Sequence, residues 1–292
     1  MQTQLRDLAV LVSLRMGTYG ATCADNQETA KLQNEHGART RTHKVSRDKL
    51  AGTDAGEILE QIRKAQNETR ALFNARTVPW DDKGRRMCAN TAAADLWQVL
   101  SKHRAHVERL VYEFCAAWPR AEAQARAAMN GLWKDTYAAD YRASADEIRG
   151  KFLFEPSMES MPSADDIRID APEQLIRNAR EEAERQMMER FSAGCRDAHE
   201  RLIGALSAMH ARLADPDATY RDSLFGNLRE LIDLLPVLNI ARDPELERIG
   251  AEARRRLLTF DMPPLPGMQA PMASVQALAQ RPRDVKRHRA NT

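Results

Sequence analysis

Residues 170–213 read DAPEQLIRNAREEAERQMMERFSAGCRDAHERLIGALSAMHARL, and this stretch decides the fold class. Apolar residues recur at Leu175, Ala179, Ala183, Met187, Phe191, Cys195, Ala198, Leu202, Leu206, Met209 and Leu213. Steps of three and four trace one face of an α-helix. Asp170 stands as the cap with Glu173 three residues on. Pro172 falls in the first turn, where its missing N–H removes no helical bond. A helix over 171–213 is a rod of about 60 Å at 1.5 Å per residue. Glu173, Arg177, Glu181, Arg185 and Glu189 alternate in sign along one stripe. Each such pair contributes only about 0.2–0.5 kcal/mol, so the stripe marks a solvated face.

A rod of this length needs a partner for its apolar face. The pattern Leu96, Val99, Leu100, His103, Val107, Leu110, Val111, Phe114 and Trp118 offers one, with Pro119 breaking or kinking it and helix resuming from Ala121 to Tyr141. The expected fold is mostly α: a long antiparallel helical hairpin or bundle of coiled-coil type, with a small β-sheet from N-terminal and central strands. The strands are expected at Leu8–Leu14, at Lys151–Glu155 and at Ile167–Ile169, the last two separated by a loop with Pro156 and Pro162. Asp54 with Glu57 opens a further helix that stops before Pro79. Ser144 with Glu147 opens another. Thr219–Leu235 is amphipathic and stopped by Pro236, and Asp243-Pro244-Glu245 opens a last helix to about Leu258. The polar stretch Ala21–Gly52 reads as a helix-loop segment. Residues 1–258 are therefore expected to form a single helical domain with its small sheet. Residues 259–292, opening with Met262-Pro-Pro-Leu-Pro-Gly, read as a flexible, Pro-rich, basic tail.

Composition narrows the class. Hydrophobic residues are 43% and charged ones 29% of the 292 positions, which fits a folded chain with a core. No apolar run nears the roughly 20 residues of a membrane helix, and the start lacks a secretory pattern. A cytoplasmic protein with no membrane partner is expected. The four cysteines, Cys23, Cys88, Cys115 and Cys195, are far apart, and buried free thiols are the simplest reading.

The chemistry-bearing motifs are few. Neither Gly-x-x-x-x-Gly-Lys-Ser/Thr nor a strand-linked Gly-x-Gly-x-x-Gly occurs, which argues against nucleotide hydrolysis of the P-loop kind. His103 and His106 have a metal-compatible spacing on a helix, without a nearby carboxylate or cysteine to complete a site. Asp81 and Asp82 in Trp80-Asp-Asp-Lys-Gly84 could hold a divalent cation. A turn, with Asp82 as turn former, Gly84 at positive φ and Trp80 as an apolar anchor, explains them better. No catalytic residue, cofactor or metal is expected, and the chain reads as a non-enzyme.

Two kinds of surface remain. Arg39, Arg41, Lys44, Arg47 and Lys49 form one basic stretch, and Arg281, Arg283, Lys286, Arg287 and Arg289 another. Both could grip nucleic-acid phosphates, although neither interleaves aromatics for base stacking. Trp80, Arg221, Asp222 and Asn227 form the candidate interaction surface. Arg221 as a salt-bridge partner for the long helix and Asp222 as a first-turn charge are the simpler reading of that pair.

Several blocks are similar to one family. They are Thr77-Val-Pro-Trp80-Asp-Asp-Lys-Gly84, Asn130-Gly-Leu-Trp133 with Phe152, and Pro162-Ser-Ala-Asp-Asp-Ile-Arg-Ile. Tyr220-Arg-Asp-Ser-Leu-Phe-Gly-Asn227, Leu234-Leu-Pro-Val-Leu-Asn-Ile240 and Asp243-Pro-Glu-Leu form the strongest part. Together they resemble an uncharacterised family of phage and prophage proteins over most of the chain. The sequence departs from that pattern at Cys88-Ala-Asn90 and beyond Phe260. The resemblance implies an origin in phage infection of a bacterial host. It also implies a protein partner, with a phage AAA+ ATPase or a von Willebrand-type protein as candidates. The function expected is that of an interaction or assembly factor acting through its helical surface, with homo-oligomerisation open. The alternative is a nucleic-acid-binding accessory protein in phage DNA metabolism.

Overall fold

A computed structural model describes residues 5–37, 39–40, 42–213 and 222–258. The elements run α1 (Leu5–Leu8), β1 (Ala9–Gly17), β2 (Thr22–Ala24), α2 (Asn26–Glu35), β3 (Ser46–Asp48), α3 (Asp54–Ala75), β4 (Val78–Pro79), β5 (Arg86–Ala89), α4 (Asn90–Met129), α5 (Ala145–Arg149), β6 (Leu153–Ser160), α6 (Glu173–Leu213), α7 (Asp222–Leu238) and α8 (Pro244–Leu258). Short 3-10 turns sit at Asn130–Leu132, Asp135–Tyr141 and Ala164–Asp166. The fold is mostly α with a small antiparallel sheet, as the periodicity indicates. Among the described residues no helix is long and apolar enough to cross a membrane.

Within the stretch read as one domain the chain divides into two compact units. One holds Met1–Ser13, Asn74–Ala94 and Met158–Thr292, the other Leu14–Phe73 and Asp95–Ser157. The tail expected from 259 onward lies outside the described residues.

The larger sheet has the order β4-β5-β1-β6. β1 pairs antiparallel with β5, Ala9 opposite Ala89 and Leu11 opposite Met87, and β4 pairs with β5, Val78 opposite Met87. This puts Leu11, Val78 and Met87 into the core of the first unit, with Trp80, Phe191, Leu202 and Leu206. The expected pairing of a central strand with the N-terminal one holds, but that strand runs through Pro156. Its place at the sheet edge explains this, since an edge strand can do without one N–H. Ile167–Ile169 is not a strand. A capping box of Ser163 and Asp166 turns the chain there, and Arg180 donates to the Ile167 carbonyl at 3.4 Å.

Pro119, expected to break or kink its helix, and Pro236, expected to stop one, both sit inside helices. Pro119 lies within α4, with Phe114, Trp118, Ala121 and Ala125 buried on both sides of it. The packing of that apolar face outweighs one lost backbone bond. α4 stops ten residues later at Met129, where Asn130 takes a left-handed φ of 46°. Residues 130–141 therefore form 3-10 turns instead of the expected helix. Pro236 lies likewise inside α7, which continues to Leu238.

In the first unit the long helix α6 packs on α7, on β4 and on the 3-10 turn at Ala164–Asp166. Its backbone meets β4 at Gly194, where an added Cβ would stand 2.5 Å from the Pro79 carbonyl oxygen and 2.4 Å from Met87 Cε. Leu96–Tyr141, the partner expected from sequence, belongs to the second unit apart from its neighbours upstream of Asp95. The second unit has its own core, in which Tyr19, Leu59, Ile62, Phe114, Trp118 and Ile148 meet. α3 is capped by Thr53, one residue before the expected Asp54, with Thr53 Oγ1 accepting from Gly56 N at 2.9 Å. β2 and β3, both within the segment read as helix-loop, form a separate two-stranded ladder.

Candidate functional site

The first unit carries an open groove of about 450 Å³, a size that admits a side-chain cluster or a short peptide segment. Ala89, Ile232, Leu235, Ile240 and Leu246 are its buried apolar lining, and Leu8 is half-buried beside them. Exposed polar side chains surround this lining: Asp7, Asn90, Thr91, Arg242, Glu247 and Arg254. One wall is the start of α4, where Asn90 Nδ2 donates to the Arg6 carbonyl at 2.9 Å and ties the helix to the N-terminal segment. The opposite walls are α7 and α8.

The α7–α8 turn is fixed by reciprocal hydrogen bonds. Asn239 Nδ2 donates to the Asp243 carbonyl at 2.9 Å, and Asp243 N donates to Asn239 Oδ1 at 2.8 Å. Asp243 also caps α8, accepting from Glu245 N at 2.8 Å, with Pro244 as first helical residue, as the sequence indicates. His199 of α6 approaches Asp243 at 3.3 Å and braces the turn from behind. Cys195, one turn earlier, is pushed up to about 11 by burial. Its thiol is thus a packing group at neutral pH and a poor nucleophile.

A strand end, a helix start, a turn and two helices converge on this groove, which no single motif announces. The signal available in sequence is the apolar run Leu231–Ile240, which by itself reads as core, followed by the helix start Asp243-Pro244-Glu245. Ile232, Leu235, Leu238 and Ile240 of that run are core, and Ile232, Leu235 and Ile240 also line the groove.

The residues singled out from sequence are scattered. Trp80 is only 3% exposed and packs in the core of the first unit, so it is not a surface residue. Its motif is a turn, but Asp81, not Asp82, forms it. Asp81 Oδ1 accepts from Lys83 N at 2.9 Å and Arg85 N at 3.2 Å, Arg85 pairs with Asp81 at 2.7 Å, and Gly84 has φ 86°. Asn227 is exposed on α7. Arg221 and the Asp222 side chain lie outside what is described.

Of the first basic stretch, Arg39 and Lys44 are exposed, and Arg41 lies outside the described residues. Arg47 and Lys49 are engaged inside the second unit. Arg47 is ion-paired with Asp140 and stacks 3.7 Å from the Tyr137 ring centroid, and Lys49 Nζ donates to Tyr19 Oη at 3.0 Å. Arg281, Arg283, Lys286, Arg287 and Arg289 lie outside the described residues.

Arg47 belongs to a buried polar network. Asp25, 6% exposed, caps α2 by accepting from Glu28 N at 3.0 Å and also accepts from Tyr137 Oη. The Glu28 N–H, then the Tyr137 hydroxyl and Lys134, hold its carboxyl below the ordinary value of 3.8. Burial pushes the Tyr141 hydroxyl up to about 12. The network ties α2, β3 and the 3-10 turn at Asp135–Tyr141 together.

The two histidines diverge. His103 Nδ1 meets Thr69 Oγ1 of α3 at 2.9 Å, whereas His106 meets Arg109 at 2.8 Å on the exposed side of α4. Among the described residues no group of three or more His, Cys, Asp or Glu side chains is placed to hold a metal ion. Set against known protein families, curated proteins and solved structures, the chain matches none of them.

Proposed function

We propose that this chain is a non-enzymatic interaction factor of phage origin whose α7–α8 groove receives an apolar segment of a protein partner. The observation that carries the reading is the groove's construction: an apolar lining surrounded by exposed acids, amides and arginines. That is the pattern of a protein-binding surface with a dry centre and a wet rim. Leu235, Pro236, Asn239, Ile240 and Leu246 of this lining belong to Leu234–Ile240 and Asp243–Leu246, two of the three blocks most similar to the phage family. A phage AAA+ ATPase or von Willebrand-type protein is the first partner to test.

Ala251 lines the groove and is exposed, so Ala251→Trp fills it without entering the core. Proteins co-purifying from infected cells with the wild-type chain and with this variant are compared by quantitative mass spectrometry. The reading expects one of the two partner types with the wild type and its loss with the variant, at an unchanged melting temperature. Equal recovery with both chains refutes it. The alternative, nucleic-acid contact, rests within the described residues on Arg39 and Lys44, which stay exposed. A salt-dependent mobility shift of duplex DNA that disappears when both become Ala would favour it.

A further inference from the structure

α4 of the second unit turns one face outward along its length. Trp97, Ser101, Arg104, Glu108 and Tyr112 follow one another at steps of four, three, four and four residues, which keeps them on a single stripe. All five are exposed, and the two aromatics unusually so, Trp97 by 42% and Tyr112 by 66%. Trp and Tyr are the residue types that most often anchor interfaces. They stand about 22 Å apart along the helix, with an ion pair between them, Arg104 to Glu108 at 2.7 Å.

We infer that this stripe is a self-association surface, and that its occupant is the α4 of a second copy of the chain, antiparallel across a two-fold axis near Arg104–Ala105. Three features favour a copy of itself over another partner. The aromatics lie at opposite ends, so an antiparallel copy sets each Trp97 against the partner's Tyr112. Charge on the stripe changes sign across the midpoint: Arg104 precedes it and Glu108 follows it. Reversal therefore brings each Arg104 within about one helical turn of the partner's Glu108. Ser101 and Ala105 at the centre are small and exposed, which permits close approach of the two helices. A stripe of this length is short of the roughly 800 Å² per partner of a standard interface, so the dimer is a weak, micromolar one. The inference is independent of the groove.

Sedimentation velocity of the full chain over a micromolar concentration series tests it. A reversible monomer–dimer equilibrium is expected. Trp97→Ala and Tyr112→Asp should each weaken it about tenfold or more with little change in the melt, since both side chains are exposed. Arg104→Glu should weaken it too, and Arg104→Glu with Glu108→Arg should restore it. Ala105→Cys places a thiol beside its own counterpart and should give a disulfide-linked dimer under copper-phenanthroline oxidation, whereas Lys64→Cys on α3 should not. A chain that stays monomeric throughout overturns the inference. So does a dimer indifferent to both aromatic substitutions, or equal cross-linking from Lys64→Cys.

Discussion

Arg254 Nη2 stands 3.4 Å from the carbonyl oxygen of Ile232, the carbonyl that Pro236 leaves without a donor inside α7. An α-helix bonds residue i to the carbonyl of i−4, and proline has no N–H to give. Arg254 of α8 approaches the orphaned oxygen and also pairs with Asp233 at 2.7 Å. The proline is thereby accommodated in the middle of the groove wall, and α7 is tied to α8 at that point.

The coupling is measurable. Arg254→Ala should destabilise the chain by about 0.5–1.5 kcal/mol, the worth of a hydrogen bond, with the exposed ion pair adding little. Pro236→Ala restores the missing donor, and Arg254→Ala should then cost less. Chemical denaturation of the four proteins of this double-mutant cycle checks it. Strict additivity would show that Arg254 does not serve the Ile232 carbonyl.

Gly194→Ala should destabilise despite alanine's helix propensity, worth about 1 kcal/mol in its favour. The new methyl meets the Pro79 carbonyl oxygen, a backbone atom that cannot rotate away. Overpacking of this kind costs about 1–3 kcal/mol. A raised melting temperature would mean that α6 does not approach β4 so closely.

Phe191→Asp places an unpaired carboxylate among Val78, Trp80 and Met87 in the core of the first unit. The expected loss exceeds about 3 kcal/mol, from the buried charge and the cavity together. Circular dichroism melts report it, and an unchanged melt would show that Phe191 is not core.

Asp25 sets an acid dependence for the second unit. Its carboxyl is held below 3.8 in the folded state, first by the Glu28 N–H and then by the Tyr137 hydroxyl. The folded pKa being the lower, the stabilisation is fully present above the unfolded value. It is lost as pH falls through the folded one. Stability should therefore decline below about pH 4, and Asp25→Asn should flatten that decline while lowering stability at neutral pH. Denaturation curves across the acid range decide this; an equally steep decline in the variant would remove Asp25 as its cause.

Where one face of one helix carried the information, the sequence was legible. The period through Leu175–Leu213, the Ser144–Glu147 capping box and the Asp243-Pro244 start all correspond to observed elements. Where tertiary contacts decide, it was not. Pro119 reads as a break or kink and Pro236 as a stop because local rules cannot register the packing of Trp118 or the donor from Arg254. β5 was invisible, since Arg86–Ala89 is short, opens with a charge and becomes a strand only opposite Ala9–Val12. Asn130-Gly131 did offer a helix-stop signal that the longer apolar pattern obscured. The groove was illegible for the same reason as β5: Leu8, Ala89, Ile232 and Leu246 are distant in sequence and meet only in the fold.

The central claim is that the α7–α8 groove holds a partner chain. A photo-crosslinking amino acid at Ala251, inside the groove, and another at Glu68, on the exposed side of α3, test it in infected cells. The account predicts a defined adduct with a phage-encoded protein from position 251 and none from position 68. No adduct at 251, or the same adducts from both positions, would contradict it.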